Sequence, residues 1–135
     1  MRGGADAYAG GSGQWGVERG GLSQLLTASA DRSSGFMYDR DFKTAIVRSR
    51  TAIGRSTVSL SYLWKGFGAN NFYGGNAPSR EWTNQTLLAA EHGLGAAGGW
   101  NWRLGESYRT HGDHFIFNQT NPAQKNNQHR SHAVL

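Results

Sequence analysis

The chain contains no cysteine among its 135 residues. That excludes a disulfide framework, a thiol nucleophile and any cysteine-based zinc site. Proline is nearly absent, with 2 residues, and apolar residues make up only 37% of the sequence, thin for a self-contained core. No apolar run approaches the roughly 18 residues that a transmembrane helix needs. The N-terminal "MRGGADAYAGG" has no apolar h-region, so no signal peptide is visible in it. No segment keeps a 3.6-residue apolar stripe over three turns, because glycines interrupt most windows.

What is present is glycine, 20 residues without a G-X-Y period, together with five tryptophans and five tyrosines, which argue against simple disorder. The net charge is +5. The basic residues are scattered over strand positions and form no run, a pattern of solvated or pore-facing charge and not of a nucleic-acid surface.

Period-two alternation dominates. In "STVSLSYLWK", Ser56 to Lys65, residues Val58, Leu60, Tyr62 and Trp64 fall on one face and Thr57, Ser59, Ser61 and Lys65 on the other, with Leu63 the exception. In "WNWRLGESYRT", Trp100 to Thr110, Trp102, Leu104 and Tyr108 share the face of Trp100, with Glu106 intruding. Asp41 to Ile53 alternates too, Ile46 spoiling its polar side. Leu22 to Ala30 and Glu81 to His92 are less clean, and Tyr8 to Glu18 and Gln128 to Leu135 are weaker candidates.

About seven strands are therefore expected. Short glycine-rich connections (19–21, 54–55, 93–99) alternate strictly with long polar ones (31–40, 66–80, 111–127). An up-and-down meander with tight turns at one end and loops at the other gives this pattern, as outer-membrane barrels do. A strand of about 10 residues at roughly 3.3 Å rise, tilted about 45°, covers roughly 23 Å, close to the apolar band of such barrels. Tyr62, Trp64, Phe67 and Trp82 would lie at the long-loop end and Trp100 and Trp102 at the short-turn end, as two interfacial girdles. The expected fold is all-β, an antiparallel up-and-down meander forming part of a large transmembrane β-barrel: an odd strand count leaves open edges that lipid does not tolerate. Residues 1–135 are read as a partial barrel domain, not closed, without plug domain or signal peptide.

The residues also resemble a known family. "FGANNFYGGNAPSREWTNQTLLAAEH" (67–92) is similar to a recurrent loop-and-strand stretch of TonB-dependent outer-membrane receptors: Phe67-Gly68-Ala69, Phe72-Tyr73-Gly74, Pro78-Ser79, then Glu81, Thr83 and Thr86, the last one place later than the usual E-x-T-x-T. "SADRSSGFMYDRDF" (29–42) resembles the loop upstream, and "YRTHGDHFIFNQTNPAQKNNQHRSH" (108–132) the strand and loop downstream. The resemblance implies a 22-stranded barrel with an internal plug and active uptake of a large scarce nutrient, such as a metal chelate, cobalamin or glycan. The implied partners are outer-membrane lipid, the remainder of barrel and plug, and the TonB complex through the plug alone. No nucleic acid, cofactor or catalysis is implied.

Two residue sets are candidate sites. Arg48, Arg50, Arg103 and Arg109 would line the lumen and substrate path, since lipid-facing arginine costs about 2–4 kcal/mol at the midplane. Asn70, Asn71, Phe72 and Tyr73 would form an extracellular loop contact, unless they serve only turn chemistry and capping of the rim. His111, His114, His129 and His132 form two H-x-x-H pairs, but residues three apart on a strand face opposite ways and do not converge on a metal. Adjacent pairs such as Glu91-His92 and Asp113-His114 are likewise split, and no spacing implies a Ser-His-Asp set. A small complete outer-membrane barrel, requiring an eighth strand from residues 1–20, and a soluble carbohydrate-binding sandwich, burying Val58, Leu60, Tyr62, Trp102 and Leu104 against a second sheet, are the rival readings.

Overall fold

The computed structural model describes residues 1–71, 77–124 and 126–135. The chain is all-β and forms one antiparallel meander in the order β1-β2-β3-β4-β5-β6-β7-β8. The long strands are β2 (Ala9–Arg19), β3 (Leu22–Ser33), β4 (Phe42–Ile53), β5 (Ser56–Gly68), β6 (Arg80–Ala97), β7 (Trp100–Ile116) and β8 (Asn126–Val134). A two-residue strand, β1 (Arg2–Gly3), edges β2. Each strand pairs with its sequence neighbours, and among the described residues β8 pairs with β7 alone, so the sheet is not closed.

The tight connections lie at one end. Gly20-Gly21 joins β2 to β3 and Gly98-Gly99 joins β6 to β7, both pairs with positive φ (58° and 80°, 59° and 80°), as a type I′ turn demands. Gly54, at φ 56°, opens the Gly54-Arg55 turn between β4 and β5. The long connections gather at the opposite end. The segment 93–97, expected within a turn, instead extends β6: the register slips between Gly93 and Gly95, and Gly95 takes φ 108°. A bulge there lets the glycine-rich segment stay paired with β7. Strand β7 also runs six residues past the expected Thr110 boundary, to Ile116.

The register shows which side chains share a face. Leu60 stands opposite Ser49 and Leu88, Leu88 opposite Tyr108, and Ser49 opposite Leu26, itself opposite Trp15. This face carries Val17, Leu22, Ala28, Ala30, Ala45, Val47, Ile53, Val58, Tyr62, Trp64, Ala90, Trp102 and Leu104 by the same parity. Its large side chains are uncovered: Leu60 is 46% and Trp102 59% exposed. No second layer lies over them among the described residues, where a soluble sandwich would need one.

The opposite face carries Glu18, Asp31, Arg48, Arg50, Lys65, Glu81, Glu91, Arg103, Arg109 and Asp113, placed there by the same register. Ile46 and Leu63, which break the alternation, are direct cross-strand partners on this face, and both are half-buried. An apolar pair can sit on a polar face at little cost when each side chain covers the other.

The driest part of the molecule is where the long loops meet. Ala69 and Ser79 are buried. The Ala69 N–H donates to the Ser79 carbonyl at 2.8 Å, and the Ser79 hydroxyl donates to the Phe117 carbonyl at 2.7 Å. Arg80, the first residue of β6, grips Asp41 with two bonds of 3.0 and 2.8 Å and lies 3.7 Å from Asp39. Gln119 donates to both Asp39 carboxylate oxygens at 3.1 and 3.0 Å. Three loops distant in sequence are thus fastened together by one arginine, two carboxylates and one amide.

Candidate functional site

The two faces are the candidate functional features of this sheet. On the polar face Arg48, Ser61, Leu87 and Arg109 form one row across four strands, and Arg50, Ser59, Ala89 and Ser107 form the next. All four arginines read from the sequence as lumen-facing therefore share a face. They do not converge: Arg48 and Arg109 are three strand spacings apart, roughly 14 Å. Arg103 pairs with Glu91 at 3.3 Å and Arg109 donates to Gln85 at 3.2 Å. Arg48 and Arg50 are exposed. Small side chains floor a hollow of about 460 Å³ between Arg50 and Glu91, through Thr57, Ser59, Gly105 and Ser107. Further hollows, beside Arg50 with Leu25 and beside Arg48 with Thr27, open on the same polar face.

The loop residues behave differently. Asn70 spends its amide on the Tyr38 carbonyl at 3.2 Å, and its N–H donates to the Asp39 carbonyl at 3.2 Å. Asn71 is exposed at φ 57°, the left-handed region that asparagine tolerates. Both therefore serve loop structure in this state. Phe72 and Tyr73 lie outside the described residues.

The histidines divide as strand parity requires. His111 and His129 take the polar face, and His114 and His132 the apolar one. His114 stacks on Trp82 with ring centroids 5.2 Å apart and bonds Asn126 through Nε2 at 2.8 Å. His132 stacks on Tyr108 and bonds its hydroxyl through Nδ1 at 2.8 Å. Asp113 stands opposite His129, yet among the described residues no group of three or more histidine or acidic side chains could hold a metal ion. Glu91 and His92 point to opposite faces, as do Asp113 and His114.

The apolar face has its own polar chemistry. The Thr51 hydroxyl donates to the Gln24 Oε1, and the Gln24 Nε2 donates to the Ser49 Oγ at 2.9 Å. These three polar side chains, which sit among Leu26, Val58 and Leu60, are linked through the one amide. Glu106 is the one carboxylate that strand parity puts on this face among the described residues, and nothing in the structure explains it.

Aromatic side chains border the apolar face at both ends. Tyr62, Trp64 and Trp82 lie toward the loops and Trp100 and Trp102 toward the turns. Phe67, expected with the first group, belongs to the other face, where the Lys65 ammonium sits 4.4 Å from its ring. The odd position along β5 turns it away from Trp64.

No family model, no curated protein and no solved structure matches the chain.

Proposed function

We propose that the chain is a segment of the β-barrel of an outer-membrane active-transport receptor, its apolar face toward lipid and its polar face toward a wet lumen. The observation that carries the membrane reading is the separation of faces without a covering layer. Leu22, Leu26, Val47, Val58, Leu60, Tyr62, Leu88, Trp102 and Leu104 all stay exposed, while most strand charges occupy the other side. A water-soluble protein rarely leaves so large an apolar patch bare. The aromatic side chains at both ends of the apolar stretch support the same reading.

The transport assignment rests on the three motif stretches similar to TonB-dependent receptors. In that reading the cargo is a large scarce nutrient, a metal chelate, cobalamin or glycan, and TonB supplies energy through a plug. The partners are outer-membrane lipid and the remainder of the barrel and plug. Arg48, Arg50, Arg103 and Arg109 then line the lumen wall, where Lys65 and the carboxylates of Glu18, Asp31, Glu81, Glu91 and Asp113 share their face. No catalytic step and no nucleic-acid contact belong to it.

A small complete barrel gains one observation, the eighth strand found within residues 1–20. However, β1 holds only two residues, whereas crossing a membrane takes about 9–11.

Single cysteines test the orientation directly, since the chain has none of its own. In vesicles, a polarity-sensitive label at Leu60→Cys or Trp102→Cys reports hydrocarbon, and the same label at Ser61→Cys or Arg103→Cys reports water. Equal, aqueous signals at all four positions sink the membrane reading. The receptor assignment is checked by the flanking coding sequence, which should encode a plug upstream and further barrel strands.

A further inference from the structure

The apolar face is capped, on its loop side, by cations that form no ion pair among the described residues. Arg32 on β3 and Lys43 on β4 stand directly opposite each other, both exposed, on the same face as Ala30, Ala45 and Trp64. Like charges placed opposite across a ladder repel, and such a pair is destabilising without an anion between them. None of the ion pairs in the described residues involves either cation. The charge of Lys43 is felt by Asp41, but that carboxylate is already held by two bonds from Arg80. Asp31 lies on the other face, where it accepts from the Tyr8 hydroxyl at 2.6 Å.

The pair belongs to a row that runs from Ala9 on one side through Gly66, Trp82, His114 and Gln128 on the other. Arg130, also exposed, lies one row nearer the turns on β8, in line with Gly112. Trp64 and Trp82 crowd over Gly66 between the cations on β3 and β4 and those on β8. The edge of the apolar stretch therefore carries indoles, which favour a membrane interface, beside cations without an ion pair among the described residues.

We propose that this edge binds the anionic head groups of the lipid leaflet on the loop side, with Arg32 and Lys43 sharing one phosphate-bearing head group and Arg130 taking another. The inference rests on the lipid-facing reading and adds a lipid class to it. Charge complementarity identifies the occupant. A phosphate between Arg32 and Lys43 removes their mutual repulsion, and a lipid tail attached to it lies on Ala30, Ala45 and Val47 just below. A guanidinium and an ammonium near an anionic surface are each worth about a five-fold gain in binding.

The full chain is mixed with neutral phosphatidylcholine vesicles and with vesicles containing phosphatidylglycerol or phosphatidic acid, and membrane-bound protein is measured by flotation. The wild-type chain should prefer the anionic vesicles, and Arg32→Gln with Lys43→Gln should weaken that preference by roughly ten- to thirty-fold. Binding of the double variant to neutral vesicles should not change. Circular dichroism of the double variant in detergent checks that its strands persist, and Arg48→Gln with Arg50→Gln, on the polar face, controls for net charge. Equal binding to neutral and anionic vesicles overturns the head-group proposal and leaves the lipid-facing reading standing. Equal weakening by the polar-face control overturns it as well. Failure to bind any vesicle overturns both.

Discussion

Trp82 lies directly opposite Gly66, and its ring occupies the space above that glycine: a Cβ there would fall 2.9 Å from the indole Cδ1 and 3.2 Å from the Trp64 ring. The glycine exists to let two indoles close over the backbone. Gly66→Val should push both rings aside and destabilise the folded sheet by about 1–3 kcal/mol, as overpacking does. Urea unfolding in detergent, followed by tryptophan fluorescence, measures it. An unchanged midpoint and an unchanged emission maximum would show that the rings do not cover this position.

Adjacent residues on β5 should respond oppositely to the same substitution. Leu60→Arg puts a guanidinium in the middle of the apolar face and should cost about 2–4 kcal/mol in a bilayer. Ser61→Arg adds the charge to the face that already carries Arg48 and Arg109 and should cost far less. Comparing folded fractions of the two variants in vesicles gives the sign. Similar losses for both would mean that neither face meets hydrocarbon.

The trio on the apolar face makes a narrower prediction. Gln24→Ala leaves the hydroxyls of Ser49 and Thr51 without their shared partner. The expected loss is about 0.6–2 kcal/mol in a membrane. A double-mutant cycle of Gln24→Ala with Thr51→Val measures the coupling, and additive losses would show that the amide and the hydroxyl do not depend on each other.

The loop clamp should fail in acid. The Arg80 guanidinium bonded to Asp41 holds that carboxyl below its ordinary value of 3.8. A depressed folded-state pKa adds stability that is fully present above the unfolded value and disappears as the pH falls through the folded one. Protection of the 38–41 and 79–80 backbone amides should therefore be constant at neutral pH and decline below about pH 4. Asp41→Asn should abolish that decline and lower protection at neutral pH by about 1–2 kcal/mol, the range for a partly exposed, charge-assisted pair. Hydrogen exchange read by mass spectrometry separates the two. A decline of equal depth in the Asp41→Asn chain would assign it to another group.

Much of the meander was legible in the sequence because alternation is a local signal. Val58, Leu60, Tyr62 and Trp64 lie together as their spacing indicates, and the glycines of 20–21, 54 and 98–99 turn the chain where expected. Boundaries were less so. Residues 93–97 carry turn-like composition but remain in β6 because β7 offers a continuous partner from Trp100 to Arg103 and a bulge absorbs the mismatch. The polar residues 111–116 and 126–127 read as loop, yet each strand supplies the other's hydrogen bonds. Composition sees only what a residue would do alone.

The candidate sites divide along the same line. Parity assigned Arg48, Arg50, Arg103 and Arg109 to one face without knowledge of any contact. Nothing local indicated that Arg80 would hold Asp41 or that Gln119 would reach Asp39, because those pairs are 39 and 80 residues apart. Nor did it indicate that Arg32 and Lys43 would stand opposite one another. Pairings of that kind depend on register, which the sequence reveals only after the turns are placed.

Among the described residues, the outer edge of β7 carries no neighbour from Trp100 to Glu106, below the hydrogen bonds that Ser107 exchanges with Leu135. Any segment that zips onto this margin inherits its phase: whatever stands level with Trp102 and Leu104 joins the apolar side, and whatever stands level with Arg103 joins the charged one. The molecule thus already contains a stencil for a strand that would pair there.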